Sequence, residues 1–143
     1  MITILLPVDG SEHSARTVDQ VIKSLGWYKD GAMVHLLNVQ HSIPGGHRVA
    51  AAVGQDQLRQ YHHDEGIKAL AAARAKLDAA KVRHEYHISV GDPAELIARY
   101  ATDKACDEIA IGARGAGAVE GLLLGSVVTK VSHLAKVPVL VVK

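Results

Sequence analysis

Residues 2–8 set the strongest limit on what this chain can fold into. Ile2-Thr3-Ile4-Leu5-Leu6-Pro7-Val8 is nearly continuous in apolar character. A strand reads this way when both of its faces are buried, as the central strands of a helix-covered parallel sheet are. The run ends in Asp9-Gly10-Ser11, a turn cluster in which Ser11 caps a following helix. That helix carries Ala15, Val18, Val21, Ile22 and Leu25 at spacings of three and four, and Gly26 suits its C-terminal stop.

The same alternation continues to the end of the chain. Residues 32–39 form a second, mostly apolar strand. Residues 40–55, with Pro44-Gly45-Gly46 and Gly54, read as a long loop. Asp56 caps a long helix to about residue 80, with Leu58, Tyr61, Ala69, Leu70, Ala73 and Leu77 on its apolar side. Residues 82–90 alternate strictly, which places a strand with one wet face at a sheet edge. In Gly91-Asp92-Pro93-Ala94-Glu95, Asp92 caps a helix, Pro93 takes its first turn and Glu95 reaches back to the cap amide. Leu96, Ile97, Tyr100 and Ala101 form that helix's stripe. Residues 108–112 make a fourth strand and residues 137–142 a fifth. Between them lies a helix over 126–135, with Val127, Val128, Val131 and Leu134 facing inward. This order predicts an α/β fold, an open five-stranded parallel sheet with helices on both faces. Right-handed crossovers and the buried first strand favour the order 3-2-1-4-5. Residues 1–143 read as one domain, without repeat or linker.

Composition removes several functions. The net charge is +1, and no run of five like charges offers a field to nucleic acid or an anionic membrane. One Trp, four Tyr and no Phe make a poor platform for stacking bases of a single strand. The single cysteine, Cys106, excludes an internal disulfide, fits a reducing compartment and reads as a small buried apolar residue. The opening residues carry no basic secretory leader, and no apolar run approaches the roughly 20 residues that span a bilayer. The expectation is a cytoplasmic domain that engages neither membrane nor nucleic acid.

The chemistry concentrates in residues 112–126: Gly112-Ala113-Arg114-Gly115, nine residues, then Gly125-Ser126. Two glycines after a strand let the backbone turn sharply and approach a ligand without Cβ interference. A third before the serine leads into a helix whose unpaired amides and dipole favour phosphate. In open α/β sheets ligands bind beyond the carboxyl ends of the strands, where the winding direction switches. In the order 3-2-1-4-5 that switch brings together the loops after strands one and four, with Val39 alongside. Asp9 is placed to accept from a ribose hydroxyl or an adenine amino group, and the backbone of Val39 to read the adenine edge. Pro7 and Val8 supply a wall for the ring, while Arg114 and the amides of Ser126, Val127 and Val128 face phosphates.

Other motifs fail on spacing. No Gly-x4-Gly-Lys-Ser/Thr occurs, and Gly-x-Gly-x-x-Gly does not follow the first strand. Asp9 lacks the acidic neighbours of a receiver domain. Of the nine histidines, His62 and His63 diverge on a helix and His84 and His87 lie on opposite faces of a strand, so these read as surface residues. Ser11, Ser14 and Ser126 have no paired histidine at a motif spacing, and Ser126 reads as a helix cap that also touches phosphate. Asp9 and Glu12 are the nearest carboxylates, with capping and adenosine contact as their first roles, so hydrolysis is expected to be slow or absent. The last strand is apolar on both faces yet lies at an edge, which predicts a homodimer through residues 137–142.

Over its whole length the sequence resembles the universal stress proteins, in the branch that binds ATP. The signature Gly-x2-Gly-x9-Gly-(Ser/Thr) is matched by Gly112, Gly115, Gly125 and Ser126. Pro7-Val8-Asp9-Gly10-Ser11, Gly91-Asp92-Pro93 and Val137-Pro138-Val139-Leu140-Val141-Val142 extend the likeness to both ends. The resemblance implies a Rossmann-like fold of the adenine nucleotide alpha hydrolase kind. It implies ATP or another adenine nucleotide, with magnesium held mainly by phosphates and water. It also implies adenosine contacts at Asp9 and Val39, and ribose and phosphate contacts at Gly112, Gly115, Gly125, Ser126 and Val127. A dimer through the last strand, unknown protein partners and a role in stress responses complete the implied picture. Ala113 departs from the family's usual Ser or Thr, removing a rim hydroxyl but no amide. Two alternatives stay open: a slow ATPase or phosphotransferase using the same pocket, and a scaffold that binds no nucleotide.

Overall fold

The computed structural model describes residues 1–115 and 123–143. Five strands, β1 (Ile2–Pro7), β2 (Ala32–Gln40), β3 (His84–Val90), β4 (Glu108–Gly112) and β5 (Val139–Val142), pair in parallel in the order β3-β2-β1-β4-β5. The helices are α1 (Glu12–Ser24), α2 (Gly46–Val53), α3 (Gln55–Ala79), α4 (Pro93–Asp103) and α5 (Ser126–Leu134). The topology is the one expected from the alternation of elements. No described helix is long and apolar enough to cross a membrane.

The continuous apolar reading of β1 has a direct cause. Ile4 and Leu6 pack with Val34 and Leu36 against Val18, Val21, Leu70 and Leu77 of α1 and α3. Leu5 points the other way and joins Leu37, Ile109 and Ile111 against Ile97, Val128 and Val131 of α4 and α5. Alternate residues of one strand therefore feed two separate cores. Gly66 lets α3 lie close to β3, since a Cβ there would sit 2.6 Å from Ile88 Cδ1.

Several local expectations change. Gly26 does not end α1; the chain tightens into a 3₁₀ turn, Leu25–Trp27. The 40–55 loop contains α2, set between Gly45 (φ +71) and Gly54 (φ +90). Gly54, and not Asp56, occupies the N-cap of α3, leaving Asp56 in the first turn where its charge suits the dipole. Strands β3 and β5 begin two residues later than the apolar runs that signal them. Leu134 is exposed at the end of α5. His62 is buried, against its reading as a surface residue. Ser11 and Asp92 do cap α1 and α4, accepting from Ser14 N–H at 3.2 Å and Glu95 N–H at 3.0 Å. Glu95 turns instead to Lys130 Nζ, 3.7 Å away.

Candidate functional site

A cleft of about 570 Å3 opens at the carboxyl ends of β1, β2 and β4, where the winding direction switches. Of the residues singled out from the sequence, Pro7, Val8, Asp9, Val39, Gly112, Arg114, Gly115, Gly125, Ser126, Val127 and Val128 line it. Ala113 does not. It is buried, and its backbone joins the motif together: Ala113 N–H donates to the Val142 carbonyl and Gly125 N–H donates to that of Ala113, both at 2.7 Å. The two halves of the glycine segment are thus fastened to each other and to β5. Residues 116–122, the middle of the nine-residue spacer, lie outside the described residues.

Asp9 is held from two sides. Its Oδ1 accepts from Ser11 N–H at 2.9 Å, and a Cβ on Gly115 would lie 2.9 Å from its Oδ2. Gly112 is equally confined, with Thr17 Oγ1 3.0 Å from the position of its absent Cβ. None of Gly112, Gly115 and Gly125 has a left-handed backbone. The chain bends between the two glycines, at residues 113–114, and both are closely confined. Around Gly125 a Cβ would meet only ordinary contacts, with Ala113 O at 3.5 Å.

Helix α5 starts at this cleft without a side-chain cap, its N-cap being Gly125. Ser126 is the first helical residue and not the cap that its type suggested. In a first turn the amides of Ser126, Val127 and Val128 have no intrahelical acceptor, so they and the positive end of the dipole face the cleft.

Sequence reasoning missed Asn38, which is 2% exposed within the apolar β2. Asn38 Nδ2 donates to the Val8 carbonyl at 2.9 Å, and its Oδ1 accepts from Gln40 Nε2 at 2.6 Å. It fixes the end of β1 just before Asp9. A buried amide inside a run of Leu and Val was the signal available. Leu37, Ile97 and Ile111 add apolar wall, and His41 and Pro93 also line the cleft.

Asp9 is the one carboxylate among the described lining residues, and Arg114 stands among them as a cation. Near Pro93, the Glu95 amide and the Lys130 ammonium, 3.1 Å away, hold the Asp92 carboxyl below its usual range. No three His, Cys, Asp or Glu side chains cluster as a metal site among the described residues. Burial pushes the Cys106 thiol up, and the residue sits among the apolar side chains under α4.

A doubly covered parallel sheet with a switch-point cleft beside a helix without a side-chain cap defines the class: an open-sheet α/β domain. The universal stress protein family model matches residues 1–143, and this chain belongs to that family. Universal stress protein YxiE of Bacillus subtilis (strain 168) is 29% identical over 156 residues, spanning 98% of this chain and 97% of the relative. The structure of hypothetical protein MJ0577 superposes with a TM-score of 0.83 at 28% identity, covering 99% of this chain and 95% of that one. The Arabidopsis thaliana family protein At3g01520, solved with AMP bound, shares the fold at a TM-score of 0.69 and 21% identity, covering 100% and 92%. Two more structures share it at a TM-score of 0.67. One is a universal stress protein in complex with cAMP (24% identity, 99% and 95% covered). The other is the Archaeoglobus fulgidus protein in complex with dAMP (21%, 100% and 98%).

Proposed function

We propose that this protein is an ATP-binding regulatory module of stress response, acting in the cytoplasm with little or no hydrolysis. The observation that carries the reading is the pairing of Asp9 with Gly115 beside an uncapped helix. A carboxylate fit for ribose hydroxyls stands next to a glycine that leaves no room for a side chain, and free amides follow. The cleft volume of about 570 Å3 falls within the range of small-molecule sites. Relatives of this fold that carry AMP, cAMP or dAMP support an adenine nucleotide as the ligand.

The donor set fits such a ligand. Pro7, Val8 and the backbone of Val39 face the base, Asp9 the ribose, and Gly112, Gly115, Arg114 and the amides of Ser126, Val127 and Val128 the phosphates. Gly125 is then kept small by the ligand, because the protein around it has room for a Cβ. Ala113 serves through its backbone, by holding Gly125. Magnesium, with Asp9 the one carboxylate among the described lining residues, would be held mainly by phosphates and water. When bound, magnesium would supply charge neutralisation at the phosphates alongside Arg114. Asp9, engaged by Ser11 N–H, is a poor base for water. Turnover abolished by Gly115→Val in a folded protein would instead favour the slow ATPase or phosphotransferase.

The edge strand β5 is half-buried along its whole length, and we assign it to a two-fold homodimer. Mass spectrometry of the gently purified protein tests the reading. An adenine nucleotide is expected to accompany the chain, and to be lost from Gly115→Val.

A further inference from the structure

The outer edge of β3 carries features that the switch-point cleft does not use. Val34 N–H donates to the Arg83 carbonyl and Gly91 N–H to that of Gln40. With the parallel register between these strands, the odd-numbered residues of β3 bond to β2. His84, Tyr86, Ile88 and Val90 therefore turn their backbone N–H and C=O groups away from the sheet, on a side with no neighbouring strand among the described residues. The side chains of the same four residues lie toward α3. The Arg74 guanidinium stacks 4.3 Å from the Tyr86 ring centre, His84 Nε2 is 3.5 Å from Asp78, and Ile88 fills the space beside Gly66.

Toward the end of β3 this cover thins. The first half of α3 and the strand enclose a second cavity of about 350 Å3, lined by Leu58, Arg59, His62, His63, Ile88 and Val90 among others. Its ionisable lining groups, Arg59, His62 and His63, are all basic, and Arg59 pairs at 3.7 Å with the exposed Asp56 carboxylate one turn earlier. Val90 is 44% exposed there. His62 is 8% exposed, and its Nδ1 is sealed from solvent with no partner among the described residues. A proton on Nδ1 would be a buried donor without an acceptor, so on hydrogen-bonding grounds the neutral ring carries it on Nε2. Nε2 is not among the sealed, unpartnered atoms and makes no bond within the described chain. His62 lines the cavity, and Nε2 is the ring nitrogen left to donate there.

We infer that the β3 edge docks an extended acidic segment of a partner protein by strand addition. The segment's backbone pairs with His84, Tyr86, Ile88 and Val90, and its alternate side chains fall on the α3 side. One apolar side chain seats on Leu58, Ile88 and Val90, and a neighbouring carboxylate accepts from His62 Nε2–H facing Arg59 and His63. Charge selects this occupant over a second copy of the chain. A second β3 would offer His84, Tyr86, Ile88 and Val90 to the same side, with no carboxylate among them.

Panning a random heptapeptide phage library on the full chain tests this surface. Selected sequences are expected to place Asp or Glu two positions from Val, Ile or Leu, so that both fall on the α3 side, and the synthetic consensus peptide to slow amide exchange at Tyr86, Ile88 and Val90. His62→Leu is expected to weaken that peptide about tenfold. Ile88→Pro removes one outward N–H and part of the apolar seat while sparing the hydrogen bonds to β2, and should abolish binding. Should Ile88→Pro fail to fold, the double variant Arg59→Glu, His63→Glu carries the test on exposed rim positions, where selection should turn from acidic to basic peptides. No consensus, a consensus without acidic residues, protection elsewhere, an unchanged preference in the rim variant, or dimers that pair through β3 would each overturn the assignment.

Discussion

Gly115 and Asp9, far apart in sequence, approach so closely that a Cβ on the glycine would lie 2.9 Å from Asp9 Oδ2. The carboxylate cannot easily yield, because its other oxygen accepts from Ser11 N–H at 2.9 Å. A methyl at residue 115 must push it out of the place that the ribose needs. Gly115→Ala is expected to lower ATP affinity at least about tenfold while changing folding stability by less than about 1 kcal/mol. Calorimetric titration with a parallel urea melt separates the two effects.

Asn38 ties β2 to the end of β1. Asn38→Leu keeps the shape but leaves the Val8 carbonyl without its 2.9 Å donor, in a residue 5% exposed. Loss of such a bond costs about 1–3 kcal/mol, so urea unfolding should show a lower midpoint with an unchanged slope. ATP binding should weaken as well, because Asp9 follows directly on Val8.

The dimer assigned to β5 has a specific test. Ile109 N–H donates to the Pro138 carbonyl and Ala113 N–H to that of Val142. The even-numbered residues of β5 thus face β4, and Val139 and Val141 turn their N–H groups outward. Val141→Pro removes an outward donor and spares the pairing with β4. Sedimentation equilibrium at micromolar concentration should find the wild type dimeric and this variant monomeric. A monomeric wild type contradicts the assignment.

Burial raises the Tyr100 hydroxyl to about 12, with the Glu85 carboxylate adding to the effect. A tyrosine whose folded value lies above its ordinary 10.0 favours the native state fully below pH 10, and that contribution is lost as pH rises through about 12. Ultraviolet titration should show a late-ionising tyrosine that disappears in Tyr100→Phe, and the variant should lose less stability over that interval.

Much of this architecture was legible because patterning and burial agree. Ile4, Leu5 and Leu6 are apolar without alternation since the two cores take them in turn. β3 alternates because Tyr86 and Ile88 lie toward α3 while Glu85 and His87 are exposed on its other face. The cleft was legible through spacing, since Asp9, Gly112, Gly115 and Gly125 reach it from the two segments that follow β1 and β4. What escaped depends on geometry that no spacing encodes. Gly112 and Gly115 are confined by Thr17 and Asp9 as well as flanking a bend. Ser126 is a good capping residue one position too late to cap. The helix Gly46–Val53 hides in a stretch whose glycines mark its ends rather than a continuous loop. Asn38 looked like an ordinary strand residue until its amide was seen to hold Val8.

The account rests on a nucleotide occupying the space between Asp9 and the first turn of α5. Isothermal calorimetry of the folded protein with ATP and magnesium measures this most directly, with thermal melts run alongside. One saturable site per chain is expected, displaced by AMP and absent from Gly115→Val. A ligand at a hundred times its Kd should add about 2.7 kcal/mol to apparent stability. No heat and no rise in melting temperature with millimolar ATP, ADP, AMP or cAMP, in a protein shown to be folded, would contradict it.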